Sequence, residues 1–131
     1  STGTDIIHLP RMEQAVQTYG DKFIERIFTP AEIAHCRGRV GPLAVRFAAK
    51  EAIAKALGVG MRIMSRHGIH WHDAEIINDA KGRPMVVLHG RAAELAAAQG
   101  LTHWSISLSH EREYGVAFVV AISPVTIYAH V

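Results

Sequence analysis

Glu51 and Lys55 stand four residues apart in the run Arg46-Phe47-Ala48-Ala49-Lys50-Glu51-Ala52-Ile53-Ala54-Lys55-Ala56-Leu57-Gly58, and Arg46 and Lys50 repeat that spacing. On a helix, residues four apart share a face. Two readings follow. Either the run is an ordinary helix whose ion pairs and long stems cover its surface, or it is a buried helix that presents one carboxylate and several cations to an anionic ligand. Asp5 is a second carboxylate out of place. It interrupts the short strand Gly3-Thr4-Asp5-Ile6-Ile7, and strands generally avoid Asp. It is either a turn former at a strand end or a carboxylate facing a ligand. Arg11 lies in the first turn of a helix opened by Pro10. The helix dipole favours an acid there, so Arg11 is not placed for helix stability.

Other chemistry-bearing residues are weaker candidates. His67, His70, His72 and Asp73 cluster in sequence, and two histidines on one strand face can ligate zinc. Spacing supplies no third ligand, and the polar edge of a strand accounts for them equally well. His8, His35, His89, His103 and His130 have no partner visible in the sequence. Ser109 and His110 are adjacent, which does not support a Ser-His-Asp triad. Cys36 is the only cysteine. That excludes an internal disulfide and a multi-cysteine metal site and fits a reducing cytosol. His35 precedes it, but helix neighbours one apart diverge, so the thiol reads as a bystander.

The elements that carry these residues are legible in part. Pro42 suits a first helical position and Gly58 a stop. Leu43, Phe47, Ile53 and Leu57 fall on one arc, and alanine covers most of the rest, so this helix can be packed against on nearly every side. Before it, Pro10 to Tyr19 reads as a helix closed by Gly20, with a further piece through Phe23, Ile24 and Ile27. Thr29-Pro30-Ala31-Glu32 reads as a capping box and nothing more, opening a helix to about Arg37-Gly38. After Gly58 the texture favours strands: Trp71 to Ile77, then Pro84 to His89, joined by the turn-rich Asn78-Asp79-Ala80-Lys81-Gly82-Arg83. Ala92 to Gln99 reads as a short helix. His103 to Ser109 alternates, with Trp104, Ile106 and Leu108 on one face, and Gly115 to Ile122 is an apolar final strand. Helices followed by an antiparallel sheet predict an α+β fold.

The chain has 131 residues, 49% of them hydrophobic and 20% charged, which reads as one globular domain over 1–131. No apolar run approaches the ~18 residues of a membrane span, and no secretory leader is visible at an N-terminus that lacks Met. The formal net charge of +2 does not argue for nucleic acid. Its distribution is more informative: residues 1–66 hold ten Lys+Arg against six Asp+Glu, and residues 67–131 hold four against six. The basic half suits an acidic protein or a phosphorylated ligand.

Three stretches together resemble a known family, the holo-acyl carrier protein synthases, the small class of 4′-phosphopantetheinyl transferases. They are Gly3-Thr4-Asp5-Ile6-Ile7 with Arg11; Arg46-Phe47-Ala48-Ala49-Lys50-Glu51-Ala52 with Lys55 and Gly58; and Ser107-Leu108-Ser109-His110 followed by Tyr114. Gly82-Arg83-Pro84 looks like the family's hairpin. The central run is the specific one, and the resemblance covers nearly the whole length.

The resemblance implies transfer of 4′-phosphopantetheine from coenzyme A to a serine of apo-acyl carrier protein, with adenosine 3′,5′-bisphosphate as the other product, in the service of fatty acid biosynthesis. It implies Mg²⁺ held by Asp5 and Glu51, a hard ion that takes one or two carboxylates and keeps its waters. Lys55 would offset charge on a phosphate oxygen. Arg46 and Lys50 either contact phosphate or hold structure. Gly58 and Gly60 would let a phosphate approach the backbone, and Gly82, Arg83, Pro84, Ser109 and His110 would contact the coenzyme. The serine proton would pass to metal-bound water or to a carboxylate, Glu51 being the better candidate. Arg11 would dock the acidic carrier, and the enzyme would be a cytoplasmic homotrimer with sites between subunits. His8 stands where many members carry an acid, a departure that bears on metal preference or pH response. The alternatives are the same transfer to a polyketide or peptidyl carrier, a non-catalytic coenzyme A binder of this fold, and a zinc hydrolase built on the His67–Asp73 cluster.

Overall fold

The computed structural model describes residues 1–62 and 66–124; His130 and the tail after Pro124 lie outside the described residues, save Pro124 itself. The element order is β1 (Thr2–His8), α1 (Leu9–Ile27), α2 (Pro30–Cys36), α3 (Val40–Ala56), a 3-10 turn (Trp71–Asp73), β2 (Ala74–Asn78), β3 (Pro84–Leu88), α4 (Gly90–Ala98), β4 (His103–His110) and β5 (Tyr114–Ile122). Helices precede most of the strands and all strand pairs are antiparallel, so the fold is α+β. The strands form two sheets. One has the order β1-β5-β4, and the other is the β2-β3 hairpin. Strand β1 closes onto the far end of the chain, with Thr2 opposite Val120 and His8 opposite Tyr114.

Helix α3 is the centre of the molecule. Eleven of its residues are buried, from Leu43 to Ala56. Its alanines leave room for neighbours on all sides, and the main core joins Ala48, Ala49, Ala52, Ile53 and Ala56 to Ala117 and Val119 of β5. The first two helices open by the local chemistry expected of them, whereas α3 begins at Val40, two residues before Pro42, and α4 at Gly90, neither with a side-chain cap. Pro10 sits in the first turn of α1, and Gly20, at φ 67° and ψ −151°, breaks that helix into two pieces. Thr29 and Glu32 complete the capping box of α2.

Strand β1 lies against α3 at a distance only glycine allows. A Cβ on Gly3 would collide with the backbone carbonyl of Ala52. That oxygen belongs to the helix ladder and cannot swing aside. The same crowding recurs at Gly41, where a Cβ would strike the imidazole of His110.

One expected strand, Trp71 to Ile77, starts three residues late. Trp71 to Asp73 is a 3-10 turn, and β2 begins only at Ala74. The Lys50 ammonium donates to the carbonyls of both Trp71 and Ala74, at 3.0 and 2.7 Å, and Asp73 Oδ2 accepts the amide of His70. These bonds gather the segment into a turn before it can extend.

Gly3→Ala is expected to cost about 3 kcal/mol or more, above the usual range for overpacking because backbone must move. Urea unfolding measures it, and a loss below about 0.5 kcal/mol, the level of a surface change, would contradict the close approach.

Candidate active site

The approach of β1 to α3 places Asp5 beside the last two turns of the helix. Lys55 Nζ donates to Asp5 Oδ1 at 2.9 Å and to the carbonyl of Thr4 at 3.0 Å. The pair is open to solvent, with Lys55 54% and Asp5 21% exposed, so its worth to stability is small. Glu51, one turn before Lys55, is half-buried. Burial first, and then the charge of Asp5, push its carboxyl above the usual range, against the lowering effect of Lys55. Two carboxylates and one lysine thus converge from two elements. The carboxylates repel each other, and neither is buried too deeply for water. Two hard oxygen donors with room for waters are what a divalent cation of the Mg²⁺ type takes from a protein, so Asp5 and Glu51 could hold such an ion.

The other two cations of α3 behave differently. Lys50 is fully buried. It pairs with Glu32 Oε1 at 2.8 Å, and with the carbonyls of Trp71 and Ala74 this uses all three donors of the ammonium. Glu32 is equally occupied: its oxygens also accept the amides of Thr29 and Ile76. Arg46 is 4% exposed and donates to the carbonyl of Pro42 and to Asn78 Oδ1. The Lys50 ammonium therefore has no donor left for a coenzyme, whereas Arg46 Nε is buried without a hydrogen-bond partner. Of the two roles the sequence left open, the bonds of Lys50 are those of the structural one, and Arg46 holds Pro42 and Asn78 with its two terminal nitrogens. Glu32 was legible as a cap but not as the partner of Lys50. The signal was a lysine on a helix face too apolar to leave it unpaired. Asn78 was passed over as a turn residue.

The remaining candidates lie in separate places. Arg11 and His8 share a cleft of about 310 Å³ with Asp5, Met12, Phe23 and Phe47. His8 also packs on Tyr114, its register partner, with ring centroids 5.2 Å apart. Ser109 and His110, at the end of β4, line a larger cleft of about 1080 Å³ bordered by Ile6, Tyr114 and Val116. Gly58 follows α3 at φ 77°, and Gly60 is engaged through its carbonyl with the amide of Ile69. Gly82, Arg83 and Pro84 form the β2–β3 turn, where Arg83 is bound to Asp79 Oδ2 at 3.1 Å and 75% exposed.

The histidine cluster does not converge. His70 Nε2 meets the Arg62 guanidinium and His72 Nε2 meets the carbonyl of Glu25. Among the described residues no group of three or more His, Cys, Asp or Glu is placed to share a metal. Cys36 is buried, and burial pushes its thiol up, away from nucleophile chemistry.

Comparison with known proteins matches this arrangement along its length. The profile described as the 4′-phosphopantetheinyl transferase superfamily matches residues 1–119. The chain belongs to that family. A relative from Koribacter versatilis named holo-[acyl-carrier-protein] synthase is 45% identical over 122 residues, 91% of this chain and 94% of the relative. The crystal structure of the Helicobacter pylori holo-[acyl-carrier-protein] synthase in complex with coenzyme A superposes with a TM-score of 0.82 at 31% identity, covering 93% of this chain and 100% of that one. The synthase from Neisseria meningitidis gives 0.79 at 37% identity, covering 93% and 97%.

The raised carboxyl of Glu51 makes a stability prediction. A carboxyl with a folded pKa above its ordinary 4.5 holds its proton more readily folded than unfolded, so ionisation opposes folding. The opposition is absent below the ordinary value and complete above the raised one. Glu51→Gln is therefore expected to melt higher than the parent at pH 7 in EDTA. A lower Tm would mean that Glu51 is stabilised as an anion by neighbours other than a metal.

Proposed function

We propose that this protein transfers 4′-phosphopantetheine from coenzyme A to a serine of apo-acyl carrier protein, releasing adenosine 3′,5′-bisphosphate and supplying fatty acid biosynthesis. The observation that carries the reading is the convergence of Asp5, Glu51 and Lys55 in a chain matched over residues 1–119 by the phosphopantetheinyl transferase family. The names of its relatives give the carrier as an acyl carrier protein, which favours that partner over polyketide or peptidyl carriers.

In the reaction an oxygen–phosphorus bond forms between the carrier serine and the β-phosphorus of coenzyme A, and the pyrophosphate bond to the departing nucleotide breaks. Asp5 and Glu51 would hold Mg²⁺. That ion, when bound, supplies charge neutralisation for a diphosphate whose oxygens gain negative charge. Lys55 already lies beside Asp5 and reaches solvent, so its ammonium is placed to meet a phosphate oxygen of the leaving group. Glu51 has two oxygens; one can ligate while the other accepts the serine proton. Arg46 and Lys50 act from within, keeping α3 in register with its neighbours.

The substrates meet this centre from two sides. Arg11, exposed at the start of α1 beside the Asp5 cleft, is the docking cation for the acidic carrier. Coenzyme A lies along Ser109 and His110 and the Gly82-Arg83-Pro84 turn, with Gly58 giving close approach at the end of α3. In the same reading the protein is a homotrimer with its sites between subunits. What supports assembly is the outer face of the β1-β5-β4 sheet, where Ile6 is 68% and Phe118 46% exposed, with Val116 and Ile122 beside them. Ile6 and Val116 also border the Ser109–His110 cleft, so a neighbour on this face would complete its wall. A cytoplasmic location belongs to the same reading and is in keeping with the free thiol of Cys36. No helix among the described residues is long and apolar enough to cross a membrane.

Asp5→Ala and Glu51→Ala are each expected to lower transfer at saturating substrates by about a hundredfold or more, the scale of losing a transition-state electrostatic contact, with circular dichroism unchanged. Near-normal turnover in either variant removes the shared-ion assignment. Arg11→Glu is expected to raise the carrier KM roughly tenfold or more, since a buried or rim charge pair becomes a repulsion, while leaving the KM for coenzyme A within about twofold. Equal effects on both would remove Arg11 from docking.

A further inference from the structure

The buried guanidinium of Arg46 leads outward to the β2–β3 turn through one side chain. Arg46 Nη2 donates to Asn78 Oδ1 at 2.7 Å. Arginine is only a donor, which fixes the amide of Asn78 with its oxygen toward α3. Its nitrogen must then point the other way, and it does: Nδ2 donates to the carbonyl of Gly82 at 2.9 Å. Asn78 is the last residue of β2 and stands opposite Pro84, the first of β3. Backbone pairing continues past it, the Asp79 amide donating to the Arg83 carbonyl and the Gly82 amide to the Asp79 carbonyl, each at 2.9 Å. The side-chain bonds of Asn78 add to it there.

Asp79 continues the chain of contacts. Its Oδ1 accepts the amides of Lys81 and Arg83 at 2.8 and 2.9 Å, and its Oδ2 accepts Arg83 Nε. These bonds shape the turn locally, but all of them lie within residues 79–83. Among the described residues only Asn78 is seen to tie the turn to the body of the protein by a side chain, and it does so through a cation buried in the central helix. Arg46 is not free to follow a moving turn, because Nη1 is held by the carbonyl of Pro42 at 3.1 Å.

We propose that Asn78 is a positioning residue for coenzyme A: it clamps the carbonyl of Gly82 to Arg46 of α3 and so fixes the height and direction of the Gly82-Arg83-Pro84 turn that meets the coenzyme. The proposal rests on the reading of that turn as a coenzyme contact. Asn78 touches no substrate. Its effect is on coenzyme binding, with the chemistry at Asp5, Glu51 and Lys55 untouched and carrier docking at Arg11 untouched.

The test compares Asn78→Leu, which keeps the branched shape and adds no charge, with Arg83→Ala in the transfer reaction. Losing the clamp, one bond of which comes from a guanidinium and the other from a neutral amide, is expected to raise the KM for coenzyme A roughly three- to tenfold, with kcat and the carrier KM within about twofold of the parent. Hydrogen exchange at the amides of Lys81 and Arg83 is expected to quicken by a similar factor. Asn78→Ser, neutral and too short to span both partners, carries the same test if the leucine variant does not fold. If Arg83→Ala raises the coenzyme KM and both Asn78 variants leave it unchanged, the clamp is wrong and the coenzyme reading of the turn stands. If Arg83→Ala also leaves it unchanged, the turn does not meet the coenzyme and both ideas fall. A drop in kcat with an unchanged coenzyme KM would assign Asn78 to general stability and overturn the proposal.

Discussion

The contact between Gly3 and the backbone of Ala52 sets the rest of the structure. A strand can lie this close to a helix only where a side chain is missing, and β1 has its one glycine there. From that contact the positions of the catalytic candidates follow. Two residues along the strand is Asp5, on the same face by the period of a strand. Along α3 from Ala52, Lys55 is three residues on and Glu51 the neighbour before. The close approach lets the Lys55 ammonium bridge to Thr4 and Asp5 and brings the two carboxylates near enough for one to raise the pKa of the other. A strand even one side-chain layer further out would leave three unrelated surface charges.

Helix α3 divides its charges by depth. Lys50 and Arg46 face inward: Lys50 donates to Glu32, Trp71 and Ala74, and Arg46 to Pro42 and Asn78, with its Nε unpartnered. Glu51 and Lys55 face the strand and stay within reach of water. Removing one partner of a buried pair such as Lys50–Glu32 leaves an uncompensated charge in the interior, which costs several times what an exposed pair contributes. The inner pair thus holds the helix rotation that presents the outer one. An alanine-rich helix has few bulky side chains to lock its rotation, and these directional bonds serve that purpose.

Much of this was legible in the sequence where the signal is local. Thr29 and Glu32 announce a cap, Gly20 a break, Gly58 a stop, and the Asn78–Arg83 stretch a hairpin turn; the structure has each of them. The family resemblance rested on local runs as well. What the sequence did not show is non-local. The pairing of β1 with β5 joins the two ends of the chain, and no periodicity encodes a partner that distant. The role of Lys50 depends on Glu32 across a helix boundary and on carbonyls of a segment that alternation alone reads as strand. Those carbonyls belong to Trp71 and Ala74, so the burial of the lysine and the late start of the strand have one cause. Likewise His70 and His72 shared a face only while the segment was a strand; in a 3-10 turn their rings part toward Arg62 and Glu25.

In the proposed reaction two carboxylates, gathered by a glycine contact, work with a divalent ion to move phosphopantetheine. Mass spectrometry of apo-acyl carrier protein incubated with this protein and coenzyme A, with Mg²⁺ in one sample and EDTA in the other, tests it most directly. The account predicts that the carrier gains the mass of one phosphopantetheine with Mg²⁺ and none with EDTA. Equal gain in both samples would contradict the role given to Asp5 and Glu51, and no gain in either would contradict the transfer to this carrier.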